Sequence, residues 1–223
     1  IVGEENVIDD EEELQKFSSD YSGIPSITPE MVVKANEDDE VLKVVLQCND
    51  EGVPIYPSSS KVHYYGGTIP RREGAIVMDL SGLNKIHEID KLSHWVHIGA
   101  GVTWGQLQGD LEKKGYRSVI PLLPHSGRSV VIDWLEREAP TACKFEYNET
   151  IASIWVTWGL GESFITGSAS VNNFRKEGCF ADGVNPQGPG PIDFWRLLQG
   201  SQGTLGIVTK AICKIEFIPS VSK

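Results

Sequence analysis

The alternation of hydrophobic and polar positions predicts short helices and strands in mixed order along the chain. In the first predicted helix, Leu14 and Phe17 recur at helical spacing after an acidic run. In the second, one apolar stripe ends at Gly52, as helices commonly end at glycine. The predicted helices cover residues 9–20, 37–51, 104–114 and 130–138, and the predicted strands cover 31–33, 53–56, 75–80, 86–89, 95–98, 151–157, 162–166 and 207–217.

The order of these elements predicts an α+β fold with two lobes. A strand–helix–strand unit comes first, and short strands joined by turns dominate the second half. We expect a small βαβ lobe over about residues 25–85. A larger lobe over about residues 86–218 is expected to hold a mixed or antiparallel sheet flanked by helices. The 223 residues are 40% hydrophobic and 23% charged, which is typical of a globular domain.

Charge and cysteine content narrow the classes of function. The formal net charge of -11 disfavours nucleic-acid binding, because no basic patch offsets it. No apolar stretch is long enough to cross a bilayer and no signal-peptide pattern is present, so we expect no direct membrane insertion. The four cysteines lack the paired spacing of a metal site and predict no metal and a reducing, cytoplasmic location; they are Cys48, Cys143, Cys179 and Cys213.

Three segments have a composition suited to holding a nucleotide through backbone donors. Residues 57–67 follow a predicted strand and are rich in serine, so successive amides can form an anion nest, with Lys61 adding charge. Residues 99–103 place small residues before a helix, and residues 200–208 carry glycines at intervals of three. The alternative for the first segment is a solvated serine-rich loop, and the alternative for the third segment is a tight turn. Neither the nicotinamide fingerprint nor a Walker loop is present, so a different nucleotide fold is expected.

The order and spacing of these segments resemble the FAD-binding domain of the vanillyl alcohol oxidase and p-cresol methylhydroxylase superfamily. The branch that contains glycolate oxidase and D-lactate dehydrogenase flavoprotein subunits is the most similar. The resemblance covers nearly the whole chain and rests on the segments 52–54, 76–84 and 101–107. Its most specific motif is Gly-Thr-Leu-Gly-Ile-Val-Thr at 203–209. It implies a two-lobed fold of the p-cresol methylhydroxylase type and FAD as the cofactor.

The resemblance also implies which residues contact FAD. In that family the loop matching residues 57–66 wraps the pyrophosphate, and the segment matching 129–137 lies beside the flavin. This chain has serines, a lysine and a valine where the family norm is an arginine followed by glycines and a threonine. The implied cofactor contacts are Pro57, Ser58, Ser59, Ser60, Lys61, Val62, His63, Gly66, Gly101, His125, Ser129, Asp133, Glu136, Gly203, Ile207 and Val208.

Two histidines in that set have competing interpretations. His63 lies one position from where some relatives attach the flavin covalently, and we interpret it as a phosphate or ribose neighbour instead. His125 lies on a proline-rich loop and is expected to line the cofactor, with a surface role as the alternative.

By resemblance, the function is a flavin-dependent oxidoreductase that oxidises a small hydroxy acid or related alcohol and passes electrons to a partner protein. In relatives, the catalytic base comes largely from a cap domain that follows the FAD-binding domain. We expect this cap to be absent from residues 1–223, so no catalytic residue is named. Either a shortened chain or a short subunit completed by another polypeptide fits. The rival functions are a non-catalytic subunit or binding module on a degenerate FAD fold, and the related fold of UDP-N-acetylenolpyruvoylglucosamine reductase.

Overall fold

The described part of the chain contains two β-sheets and several short helices. A computed structural model describes residues 1–25, 27–122, 124–136, 150–166 and 195–218. The strands are β1 (Val7–Ile8), β2 (Met31–Lys34), β3 (Ile55–Ser58), β4 (Ile76–Asp79), β5 (Ile86–Asp90), β6 (Trp95–Gly99), β7 (Tyr116–Ser118), β8 (Ile151–Trp158), β9 (Ser163–Ile165) and β10 (Gly206–Phe217). The helices are α1 (Glu11–Gln15), α2 (Asp38–Glu51), α3 (Trp104–Glu112), α4 (Val130–Leu135) and α5 (Trp195–Leu198).

The smaller sheet has the strand order β1-β2-β4-β3. Strands β2, β4 and β3 are parallel, and α2 is the crossover between β2 and β3. The apolar stripe of α2, which includes Val41, Val44 and Val45, is buried against this sheet. The parallel register places Ser58 beside Asp79, so both strands end at the same edge. The serine-rich segment leaves the sheet at that edge.

The larger sheet has the strand order β5-β6-β10-β8-β9, with β7 paired to the end of β10. All of its pairings are antiparallel, and β10 pairs with β6, β7 and β8. Its main core packs α3, α4 and α5 against the sheet through buried residues such as Trp104, Trp134 and Trp195. The predicted α+β class, with one βαβ unit and a larger antiparallel sheet, is confirmed.

Several element boundaries differ from the predictions for local physical reasons. Helix α1 ends at Gln15 rather than at residue 20, and the Ser18 hydroxyl donates to the Gln15 carbonyl at 2.8 Å. Strand β3 begins at Ile55 rather than at residue 53, because the Val53 amide caps α2 by donating to the Cys48 carbonyl. Helix α4 ends at Leu135, and the rest of its predicted span beyond residue 136 lies outside the described residues.

The described residues hold no helix that is long and apolar enough to cross a membrane. Cys48 and Cys213 are free and buried, whereas Cys143 and Cys179 lie outside the described ranges. Within those ranges, no group of three or more histidine, cysteine or acidic side chains is placed to hold a metal ion.

Candidate functional site

The serine-rich loop after β3 is buried rather than solvated. Ser58, Ser59 and Ser60 are each less than 9% exposed. The Ser58 hydroxyl donates to the Ser60 carbonyl at 3.0 Å and lies 3.0 Å from Nε2 of His63. These bonds within the loop fix its shape, so it forms a rigid wall at the edge of the smaller sheet.

His63 is neutral at pH 7 because of its position in this wall. Burial lowers the pKa of His63 from 6.5 to about 4. The Ser60 backbone raises that pKa, the nearby charge of Arg128 lowers it, and Asp20 raises it, each less than burial does. Nδ1 of His63 is buried and has no hydrogen-bond partner in the structure. The neutral ring therefore keeps one unused polar atom.

Ser129 joins the serine loop to two other segments. It is fully buried, and its amide donates to the Ser60 hydroxyl at 3.2 Å. Its own hydroxyl donates to the Ala100 carbonyl at 2.6 Å and accepts the Ile132 amide at 3.3 Å, which caps α4. The serine loop, the turn after β6 and the start of α4 are thus held as one unit.

The turn after β6 requires glycine at residue 101, because another segment of the protein backbone packs closely against it. A Cβ on Gly101 would lie 2.5 Å from the Leu80 carbonyl oxygen. The Gly101 amide donates to the Leu83 carbonyl at 3.0 Å. The sequence pattern suggested that small residues here let a ligand approach the main chain. The structure instead gives Gly101 a packing role, with its amide already used.

The glycine-rich bend before β10 lies against the serine loop. Gln202 and Gly203 both have positive φ angles, 51° and 78°. A Cβ on Gly203 would lie 2.5 Å from Cγ of Pro57. Glycine is therefore required at residue 203 both by the backbone conformation and by the close approach of Pro57.

Two cavities meet where these segments converge. The narrow cavity has a volume of about 60 Å³ and the wide cavity about 600 Å³, the latter within the range of small-molecule sites. Apolar side chains of α4 and α5, such as Ile132 and Leu198, line the narrow cavity together with Ser59. Both cavities are lined by Pro57, Gly67, Gln202, Gly203, Gly206 and Ile207. An elongated ligand lying across this shared wall would contact the serine loop and the glycine-rich bend.

Comparison with known protein families relates the segments around the cavities to a cofactor-binding domain. The family model described as "FAD binding domain" matches residues 29–132, which run from β2 through the serine loop to α4. This segment of the chain matches an FAD-binding domain. FAD as the cofactor and the superfamily recognised from the motifs are confirmed.

Similar proteins extend the match beyond those residues. The glycolate oxidase subunit GlcD of Bacillus subtilis is 27% identical over the whole chain, which spans 44% of that protein. A D-lactate dehydrogenase of Anaerostipes hadrus is 28% identical over 84% of the chain and 36% of its own length. The crystal structure of p-cresol methylhydroxylase with substrate bound has the same fold, with a TM-score of 0.80 and 23% identity over 99% of this chain and 42% of that one. The chain thus spans less than half the length of these relatives.

The residues at the cavities fit FAD. FAD combines apolar ring systems with hydroxyl groups and a diphosphate, and the cavities combine apolar walls with polar atoms. The Ser59 hydroxyl and Nδ1 of His63 are buried without a hydrogen-bond partner in the structure. Because buried polar groups are normally hydrogen-bonded, the Ser59 hydroxyl is expected to bond a ligand. Ser59 also lines the narrow cavity.

The cofactor contacts implied by the resemblance fall into three groups according to their position relative to the two cavities. Lys61 and His125 are exposed: Nζ of Lys61 lies 5.3 Å above the Phe17 ring, and Nδ1 of His125 accepts the Gly127 amide at 3.1 Å in a surface turn. Neither side chain lines the two cavities. Those that line a cavity are Pro57, Ser59, Gly66, Glu136, Gly203, Ile207 and Val208. Those buried behind the cavity walls are Ser58, Ser60, Val62, His63, Gly101, Ser129 and Asp133. Their contacts with FAD stay predictions.

Sequence reasoning missed a buried arginine beside this site. Arg128 is fully buried and forms ion pairs with Asp133 and Glu136. The guanidinium carbon lies 4.1 Å from the ring centroid of Tyr64, and the indole of Trp104 donates to Asp133 at 2.6 Å. The signal was two acids three residues apart in an otherwise apolar segment that follows an arginine. Arg128 thus links the serine loop to α4.

Proposed function

We propose that this FAD-binding domain is the cofactor-holding part of a flavin-dependent oxidoreductase that oxidises a small hydroxy acid. The convergence of the serine loop, α4 and the glycine-rich bend on two joined cavities carries the proposal. Similarity to a glycolate oxidase subunit and a D-lactate dehydrogenase supports the substrate class. When bound, FAD supplies the acceptor for the two electrons that leave the substrate.

The residues of this chain bind and orient the cofactor in this proposal. Ser59 donates or accepts a hydrogen bond at its polar part, because its buried hydroxyl lines the narrow cavity and has no other partner among the described residues. The apolar side chains of α4 and α5 exclude water from the narrow cavity. Ser129 keeps these walls at a fixed separation.

The catalytic base and the electron acceptor are proposed to come from elsewhere. Among the described residues that line the two cavities, Glu136 is the only acidic one, and it is ion-paired with Arg128. A carboxylate held in this way is a poor proton acceptor. We therefore propose that a further domain or another polypeptide completes the substrate site and that a partner protein receives the electrons. Separately, we propose that the fold divides into two lobes, which cover about residues 25–85 and 86–218.

A non-catalytic binding module is the second candidate. The serines of residues 58–60 replace the family's arginine and glycines, and the side chains of Ser58 and Ser60 bond within the protein. When the hydroxyl groups of a loop are already hydrogen-bonded within the protein, the loop is compatible with a fold that has lost its catalytic role.

Anaerobic reduction distinguishes the two candidates. The FAD-saturated protein, together with the domain or polypeptide that completes its substrate site, is mixed without oxygen with glycolate, D-lactate or L-lactate, and with acetate as a control that lacks the hydroxyl group. Oxidation predicts bleaching of the flavin absorbance by at least one hydroxy acid and none by acetate. Bound FAD that no hydroxy acid bleaches would contradict the proposed oxidation and favour the binding module.

A further inference from the structure

The wide cavity is lined by positively charged side chains, although the chain as a whole is acidic. Arg71 and Arg72 both line it, and none of its described lining residues is acidic. The chain as a whole carries a net charge of -11. Two arginines on a lining that includes no described acidic residue therefore make this cavity a positive region on an acidic protein.

The two guanidinium groups have unused donors. Nη2 of Arg71 donates to the Gly66 carbonyl at 3.4 Å, and the side chain of Arg72 has no hydrogen bond or ion pair with the described part of the chain. Arg117 and Arg128, by contrast, are both paired with carboxylates. Each guanidinium carries five N–H donors in a planar fork, which suits an oxyanion with two oxygens side by side.

The remaining lining of the wide cavity supplies neutral hydrogen-bonding groups. Asn49, Thr157 and Thr204 line it, and it meets the narrow cavity at the wall formed by Gly67 and Gln202. The arginines thus lie beside the site that the apolar walls and Ser59 form. An oxyanion bound by Arg71 and Arg72 would belong to a molecule in, or next to, the FAD site.

We propose that Arg71 and Arg72 form an oxyanion subsite at the edge of the FAD site. Two sources carry the required chemistry: the diphosphate of FAD and the carboxylate of a hydroxy acid. The second source rests on the proposed function, whereas the first requires only FAD binding. Charge-assisted bonds from both arginines hold the oxyanion.

Flavin titrations test the diphosphate. The variants Arg71→Gln and Arg72→Gln each remove one charge, Arg72→Lys keeps it, and Arg117→Gln is the matched control at an exposed pair with Glu216. FAD and riboflavin, which lacks the diphosphate, are titrated separately into each apoprotein by flavin fluorescence. If the diphosphate is bound here, FAD affinity falls about tenfold in each glutamine variant, less in Arg72→Lys, and riboflavin affinity does not change.

A second titration tests the carboxylate. Glycolate is added without oxygen to each FAD-loaded variant, together with the domain or polypeptide that completes the substrate site, and the dependence of the bleaching rate on glycolate concentration gives the apparent affinity. If the substrate carboxylate is bound here, the glycolate affinity falls about tenfold in the glutamine variants and FAD affinity does not change. If the unsubstituted protein does not respond to glycolate, the proposed oxidation of this substrate fails, and the flavin titrations alone decide on the subsite.

Two results would overturn the subsite. One is that neither FAD nor glycolate binds more weakly to the Arg71 and Arg72 variants than to Arg117→Gln. The other is that FAD and riboflavin lose affinity equally, which would show a structural effect of the arginines rather than contact with an oxyanion. Both arginines are exposed, so we expect the variants to fold, and their far-ultraviolet circular dichroism provides the check.

Discussion

Replacement of Arg128 by methionine should destabilise the protein more than any surface change. The substitution keeps a flexible, unbranched side chain, although a shorter one, and removes the charge. It leaves Asp133 and Glu136 buried without the cation that both contact, since their side chains are only 1% and 5% exposed. The stacking of Arg128 on Tyr64 is lost at the same time.

The size of the expected loss in the free energy of unfolding follows from the burial of the two ion pairs. Removal of one partner from a buried pair costs about 3–5 kcal/mol, because an uncompensated charge stays away from water. The exposed pair of Arg117 with Glu216, 3.3 Å apart, is expected to contribute less than about 1 kcal/mol. Arg128→Met should therefore lower the free energy of unfolding several times more than Arg117→Gln.

Urea unfolding followed by tryptophan fluorescence measures the difference. The free energy of unfolding of a small protein falls by about 1–3 kcal/mol per M of urea. A loss of about 3–5 kcal/mol therefore lowers the urea midpoint by about 1 M or more. The triple variant Arg128→Met, Asp133→Asn, Glu136→Gln removes all three charges and keeps an acceptor for the Trp104 indole. It should regain a large part of the stability. A midpoint for Arg128→Met equal to that of Arg117→Gln would refute the buried ion pairs.

Three further predictions concern individual residues. Between pH 6.5 and about pH 4 the unfolded His63 binds a proton that the folded one does not, so stability falls with falling pH by up to about 3 kcal/mol. The variant His63→Gln should lack this part of the loss in urea midpoints measured at both pH values; an equal loss in both proteins would contradict it. Gly203→Ala should cost about 1–3 kcal/mol through its φ of 78° and the contact with Pro57, whereas Gly109→Ala in α3 has open space and should stabilise. Equal midpoints for the two alanine variants would argue against the close approach. Burial raises the pKa of Cys213 to about 12, so this thiol should react with iodoacetamide only after unfolding; rapid labelling of the folded protein, located by peptide mass, would disprove its burial.

The elements that the sequence predicted well are those with a local cause. The stripe of α2 and its end at Gly52 depend on residues within one helix, and Gly52 has the expected left-handed conformation. The motif at 203–209 located the bend that faces Pro57, because a glycine spacing is visible in the sequence itself. Strands β1 and β7 were not predicted, since two or three residues carry no periodicity and only their partners define them.

The features that could not be predicted depend on contacts between distant segments. Arg128 is an ordinary charged residue in the sequence, and its burial results from Tyr64, Asp133 and Glu136 meeting around it. Arg71 and Arg72 face a cavity whose walls include Thr157 and the glycine-rich bend, both more than 80 residues further along the chain. Gly101 was predicted to let a ligand approach the main chain, but the close approach in the structure is to the Leu80 carbonyl of the protein.

The absorption spectrum of the purified protein tests the central claim most directly. The protein is measured as isolated and after addition of excess FAD followed by gel filtration, and then precipitated with acid. We predict a flavin spectrum that stays with the protein on the column and passes into the supernatant on precipitation, which indicates noncovalent binding. Colour that stays in the pellet would correct the interpretation of His63 and leave the FAD site intact. A protein that carries no flavin even after FAD is added would contradict the account.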